Sequence, residues 1–205
     1  MTRSELSLEA IIKGRRSVRR YLERPVPREH ILAVLEAARW APSPHGRQPW
    51  RFAVLTRDEP RRALAAAMGD EWRRQLALDG QDDATIDRRL RISRQRIATA
   101  PAIVVPCLYL ADLDVYPDAA RQAAETTMAV QSLGCAVQNM LLTAYGLGLD
   151  TGWMCAPLFC PETVAAALGL DAALTPHALI TLGYAAADPA RRERLPLETL
   201  VVRFD

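Results

Sequence analysis

The chain has 205 residues, half of them apolar, and a formal net charge of +2. That length suits one domain with enough apolar material for a buried core, and the near-balance of charge gives no case for nucleic acid as a partner. No apolar run approaches the roughly 18 residues of a membrane span, and the N-terminal Met1-Thr2-Arg3-Ser4-Glu5 lacks an apolar signal region, so a protein that stays out of the membrane is expected.

In chain order, Thr2-Arg3-Ser4-Glu5 has the capping-box pattern, and Leu8, Ile11 and Ile12 recur at helical spacing. A first helix is predicted over about residues 6–13, stopping at Gly14. Arg15-Arg16-Ser17-Val18-Arg19-Arg20 follows. Its arginines are either a solvated basic patch or an oxyanion clamp, because guanidinium groups fork onto phosphate and polarised carbonyls. Pro27 suits the start of a second helix, whose inner face would carry Ile31, Leu32, Leu35 and Ala38 and which would end near Trp40.

The next stretch, residues 41–52, holds Pro42, Pro44, Gly46 and Pro49 and can be neither a helix interior nor a central strand. It is a stiff loop carrying Ser43, His45, Arg47, Gln48 and Trp50. Such a loop loses little entropy on ordering around a ligand. A short buried strand is predicted over 52–56 and an alanine-rich helix over 61–68. From Asp70 to Arg96 the chain becomes charged, with Trp72, Leu76, Ile86, Leu90 and Ile97 as sparse apolar points. Two helices broken near 79–83 fit best, and residues 70–98 are read as a helical excursion, a lid or dimer flap. The run from Arg88 to Arg96 holds five arginines and no acid; it is either a solvated face or a contact for an anionic substrate.

Residues 102–110 form an apolar strand in which Pro106 predicts an edge position or a bulge. The long segment 119–145 is apolar nearly all round after Thr127, so a central helix buried on most faces, or half of a subunit interface, is expected. Gly146-Leu147-Gly148 should stop it before a strand through Gly152-Trp153-Met154. A short helix (161–168), a strand (177–184), a basic connector and a final β-type tail (199–203) complete the chain. The pattern indicates an α+β fold with one sheet and a long helix against it.

Several chemistries are absent from the pattern. His30, His45 and His177 are the only histidines and make no ligand-spaced pair, so no metal is expected. There is no G-x-S-x-G elbow, no Rossmann G-x-G-x-x-G and no Walker loop. The four cysteines, Cys107, Cys135, Cys155 and Cys160, contain no C-x-x-C pair, and three lie in apolar surroundings, as reduced cytoplasmic thiols do. What remains is an inventory for binding: arginines at both ends of the chain, a rigid polar loop and a glycine-flanked tryptophan. That inventory suits an enzyme whose cofactor performs the reaction.

Arg15-Arg16-Ser17-Val18-Arg19, the loop Ala41-Pro42-Ser43 with Gln48-Pro49-Trp50, and Gly146-Leu147-Gly148 together resemble the nitroreductase family of FMN-dependent oxidoreductases, in family order and over nearly the whole chain. The run from Gly152 to Glu162 and the pattern His45-x-Arg47-Gln48-Pro49-Trp50 are similar, more narrowly, to the FMN-binding C-terminal domain of the bifunctional gamma-glutamyl ligase that finishes the deazaflavin coenzyme (factor 420).

The resemblance implies an α+β nitroreductase-like sandwich over residues 1–205: a mixed or antiparallel sheet, flanking helices and a long central helix, forming an intertwined homodimer with FMN at the interface. It implies that Arg15, Arg16, Ser17 and Arg19 hold the phosphate, ribityl and ring side of FMN, with Arg192 and Arg194 meeting the phosphate. It sets Pro42, Ser43 and Gln48 beside the isoalloxazine ring, with Gly152 and Trp153 along its reactive edge. Substrate contacts are expected from His45, Trp72, Arg88 and Arg91. The implied reaction is hydride transfer from reduced flavin, recharged by NADH or NADPH, to an electron-poor acceptor. The leading acceptor is the dehydro precursor of the deazaflavin coenzyme, handled beside a separate ligase; a general nitroaromatic or quinone reductase is the alternative. A non-catalytic flavin-binding protein and a flavin-free interaction module are the competing classes. Gly46 departs from the asparagine many family members carry near that position.

Overall fold

The computed structural model describes residues 3–205 apart from the side chain of Ser4. The capping pattern that begins at Thr2 therefore falls partly outside the described residues. A 3-10 turn (Arg3–Glu5) leads to α1 (Leu8–Gly14). The helix starts later than the spacing predicts because Ser7 is its cap, its hydroxyl accepting the Ala10 N–H at 3.2 Å.

The core is a five-stranded antiparallel sheet of β1 (Trp50–Leu55), β2 (Ala102–Tyr109), β3 (Asp150–Met154), β4 (Leu174–Pro176) and β5 (Leu179–Gly183). The order is β1-β2-β5-β3, with β4 also on β2. β2 is thus interior, which rules out the edge position that Pro106 suggests. Its proline is accommodated by the interruption between β4 and β5. The Pro106 carbonyl accepts the His177 N–H at 2.9 Å there, and the missing donor falls where no strand residue needs it.

One face of the sheet is covered by α2 (Arg28–Arg39) and α5 (Ala119–Gly146). Ile31, Val34 and Ala38 of α2 meet Leu133, Val137 and Met140 of α5 over Val104, Leu108 and Ile180. Trp50 anchors β1 in the same cluster. Leu32, expected inward, is half exposed, because the inner stripe runs 31-34-38 and Leu32 lies about 100° off it. α5 is also less covered than its composition predicts: Ala124, Thr127, Met128, Gln131 and Cys135 share an open stripe.

The other face is covered by α3 (Asp58–Leu78) and α6 (Pro161–Leu168), with α4 (Asp83–Ala98) against α3. The alanine-rich segment and the first half of the charged excursion are one continuous 21-residue helix. Leu64, Ala65 and Met68 pack it on Ile103 and Val105. Beyond Gly69 it leaves the sheet and pairs with α4 through Leu76, Ile86 and Leu90. Asp82 caps α4, accepting the Thr85 N–H at 2.9 Å.

After β5 the chain turns back over α1. Residues 199–203 are not the β-type tail expected: a single turn, α7 (Leu197–Leu200), follows Pro196, and the rest is exposed coil that pairs with no strand among the described residues. No helix among the described residues is long and apolar enough to cross a membrane.

Candidate functional site

The segment after α1 is extended and lies beside β3. Ser17 bridges Thr151 in parallel, and the Val18 N–H donates to the Thr151 carbonyl at 2.8 Å. An extended chain alternates its side chains, and this one sorts its charges accordingly. Ser17 and Arg19 border a narrow cleft with Arg96, Gly152, Trp153 and Met154. Arg16 points the other way, into a polar hollow with Arg3, Tyr145, Asp150, Asp188 and Arg191. Its guanidinium caps α1, donating to the Gly14 carbonyl at 2.5 Å and to the Arg15 carbonyl at 3.1 Å. Arg16 was expected with the cofactor residues, yet the alternation sends it to the opposite side.

Along this segment cations are crowded. Burial, and then the neighbouring Arg194 guanidinium, lower the pKa of Arg15 from its ordinary value. Burial, and then Arg19, do the same to Arg96. The Nε atoms of Arg15 and Arg16 are buried and have no hydrogen-bond partner among the described residues. Two pairs of like charges, one with an orphaned donor, are a costly arrangement unless an anion completes it. Arg192 lies in the same exposed strap as Arg194. Arg191 fastens that strap to the end of α1 by donating to the Lys13 carbonyl.

Arg96 is the residue the sequence reading passed over, since it was visible only as one of a run. Its signal is position: in the last turn of a helix that must return to the sheet, six residues before a buried strand. Gly152 is held bare by packing. A Cβ there would overlap the Val18 carbonyl oxygen and stand 2.7 Å from Thr181 Oγ1. Tyr21 supports the same point, its hydroxyl lying 2.7 Å from Thr181 Oγ1 and 3.1 Å from the Val18 carbonyl. Burial pushes the Tyr21 phenol well up, so it stays protonated.

The loop of residues 41–49 stands elsewhere. Ser43 Oγ accepts the Gln48 N–H at 3.0 Å, and Arg47 reaches Asp114 at 2.8 Å and the Asp112 carbonyl at 2.9 Å. His45 (φ 54°) and Gln48 (φ 50°) are both in the left-handed region. Pro42, His45 and Gln48 are exposed. This loop enters β1, whereas the arginine segment lies outside β3. Across the row β1-β2-β5-β3-Ser17 the two are separated by four spacings, roughly 19 Å at about 4.8 Å each. Within one chain the loop therefore stands away from Ser17, Arg19 and Gly152.

Nor are the expected substrate residues at the cleft. Trp72 packs on Leu76, Ile86 and Leu90 inside the hairpin. Arg88 and Arg91 border a shallow hollow of about 570 Å³ with Arg73, Asp87 and Arg94. That hollow is on the flank of α4 away from Arg96, because Arg91 is five residues, about 140° around the axis, from Arg96. Of the cysteines, Cys107 and Cys160 are buried and Cys135 and Cys155 exposed. No group of His, Cys, Asp and Glu among the described residues could hold a metal ion.

Comparison with known proteins gives a consistent picture. A family model described as the nitroreductase family matches residues 12–184. An NADH dehydrogenase of Thermus thermophilus is 31% identical over 92% of this chain and 91% of its own length. A Desulfovibrio desulfuricans protein solved in complex with FMN and described as a nitroreductase is 30% identical, with TM-score 0.73 over 98% of each chain. A BluB-like flavoprotein from Clostridium difficile shares the fold at TM-score 0.80 and 22% identity, over 98% of this chain and 100% of its own.

Proposed function

The chain belongs to the nitroreductase family, and from that premise we propose that it is an FMN-dependent oxidoreductase passing electrons from NADH or NADPH to an electron-poor acceptor. The names of its relatives support both halves: one full-length relative is an NADH dehydrogenase, and a 30% identical structure carries FMN. The observation that carries the reading is the crowding of Arg15 with Arg194 and of Arg19 with Arg96 along one extended segment. A phosphorylated, electron-accepting ring is the ligand that relieves both pairs.

Bound FMN would supply hydride transfer at its N5. The protein supplies the rest. Arg15 and Arg194, with Ser17, would hold the phosphate and ribityl chain through charge-assisted hydrogen bonds. Arg19 and Arg96 would hold the ring's carbonyl side and favour negative charge there. Gly152 offers bare backbone, and Trp153, 41% exposed, an apolar wall.

Pro42, Ser43 and Gln48 join this site only from a second copy, since in one chain they occupy the opposite sheet edge. A homodimer is therefore part of the proposal. The open stripe on α5 and the exposed apolar tail (Leu197, Leu200, Val202, Phe204) supply surface for it. A finer reading makes the acceptor the dehydro precursor of the deazaflavin coenzyme, produced beside a separate ligase. It is supported by the run from Gly152 to Glu162.

The test is an absorption spectrum of the purified protein followed by anaerobic titration with NADH and NADPH. Flavin bands that bleach with either donor are expected. A colourless protein that cannot be reconstituted with FMN would overturn the reading. Binding and reduction of the deazaflavin precursor by the reduced enzyme tests the finer one, and absence of both removes it.

A further inference from the structure

Resting on the oxidoreductase reading, we propose that the flank of α4 carrying Arg89, Ile92 and Arg96 forms, with Trp153 and Phe159, an acceptor subsite for a flat electron-poor ring bearing an anionic arm, and that Arg89 takes the anion. Arg89 and Arg96 are seven residues apart, so they share a helix face to within about 20° and lie about 10 Å apart along the axis. Ile92 stands between them, 43% exposed. The inner face of α4, Ile86, Leu90 and Ile97, is buried, so its arginines leave on two flanks. Arg91 and Arg94 take the flank of the shallow hollow. Arg89 takes the flank of Arg96, which borders the cleft beside Trp153.

The turn that follows the Trp153 strand is fastened to the hairpin. Gln75 Nε2 donates to the Phe159 carbonyl at 2.9 Å, tying the 3-10 turn Ala156–Phe159 to α3. That turn directly follows the β3 strand of Trp153 and leaves the Phe159 ring 74% exposed. Ile92, Trp153 and Phe159 are thus large apolar side chains open to solvent beside an extended basic edge, the chemistry that receives an aromatic ring.

Three cations of the hairpin are compensated, Arg73 by Asp87, Arg74 by Glu71 and Arg94 by Asp70. Arg88, Arg89, Arg91 and Arg96 have no ion-pair partner among the described residues, and of these Arg89 is the one that shares the helix face of Arg96. An unpaired guanidinium on an exposed helix face beside apolar side chains draws in an anion and forks onto a carboxylate or phosphate. Arg19 and Arg96, committed to the cofactor, leave the anionic arm to Arg89.

The experiment compares 4-nitrobenzoate with 4-nitrobenzamide, equal in shape and different in charge, using FMN-loaded protein and excess nicotinamide donor. The wild type is expected to favour the carboxylate in kcat/KM. Arg89→Gln should cut that preference about tenfold, the worth of one charge-assisted hydrogen bond, mainly through KM. Arg88→Gln, which neutralises an equal charge outside that flank, should leave the preference in place. Equal rates for the two compounds in the wild type, or equal loss in the Arg88 and Arg89 variants, would overturn the subsite while leaving the oxidoreductase reading intact. Reduction of neither compound by protein whose flavin the donor does bleach would overturn the subsite alone; a flavin that neither donor bleaches would remove the oxidoreductase reading and the subsite with it.

Discussion

The carbonyl oxygen of Val18 lies against the α-carbon of Gly152, in the space a Cβ would need. Two segments 134 residues apart in sequence are thereby pressed backbone to backbone, with the Val18 N–H bonded to the neighbouring Thr151 carbonyl. Gly152→Ala forces them apart at the cleft. It is expected to cost about 1–3 kcal/mol of stability and to weaken FMN retention more than a core substitution of equal cost, such as Val164→Ala on α6. Thermal melts read against flavin fluorescence of both variants make the comparison; parallel losses in the two would argue against a special role for this contact.

The alternation of residues 15–19 separates arginines that the motif groups together. Arg15→Ala and Arg194→Ala should each weaken FMN binding by about tenfold or more, since each removes a charge-assisted contact. Arg16→Ala should act chiefly on melting temperature, because its guanidinium caps α1 and faces the hollow of Asp188 and Arg191. Titration of apoprotein with FMN, repeated at two salt concentrations, distinguishes them. An Arg16 variant as impaired in FMN affinity as the Arg15 variant would show that the two sides communicate.

His45 and Gln48 sit at positive φ without being glycine. Such a conformation costs on the order of 1 kcal/mol per residue. Gln48→Gly should therefore hold or raise stability while the freed loop loses its grip on a ligand. The expected signature is an unchanged or higher melting temperature with weaker flavin affinity. A drop in both would mean that the Gln48 side chain stabilises the fold itself.

Burial pushes the Cys107 thiol up to about 11 from its ordinary 9.0. Below pH 9 both folded and unfolded chains keep the proton, and the full stability is present. As pH rises from 9 towards 11 the unfolded chain loses its proton while the folded one keeps it, so stability falls by an amount on the order of 2 kcal/mol. Denaturant unfolding of the wild type and Cys107→Ala across pH 8–11 checks this. The variant should lose stability less steeply; identical slopes would assign the alkaline loss to other groups.

The elements were largely legible because their signals are local. Pro27 before α2, Pro161 at the start of α6 and the Gly146–Gly148 stop of α5 punctuate the chain where the structure does. What failed was non-local. Pro106 reads as marking an edge or a bulge, and only the extra residue between β4 and β5 opposite it decides against the edge. The 199–203 run reads as a strand because Val201 and Val202 favour one, but a strand needs a partner. At the site, the motif groups segments without giving their sides. Only the bridge of Ser17 to Thr151 reveals that Arg16 faces away, and only the return of α4 to the sheet brings Arg96 to Arg19.

The separation of the residue 41–49 loop from the arginine segment by the width of the sheet has a genetic consequence. If each flavin site takes its clamp from one chain and its loop from the other, damage to either part is inherited by different sites. A chain with Arg15→Ala and a chain with a deleted loop would each be inactive alone. Assembled together, the intact clamp of one would face the intact loop of the other, and each mixed pair would recover one working centre. Two dead alleles would then complement within a single protein.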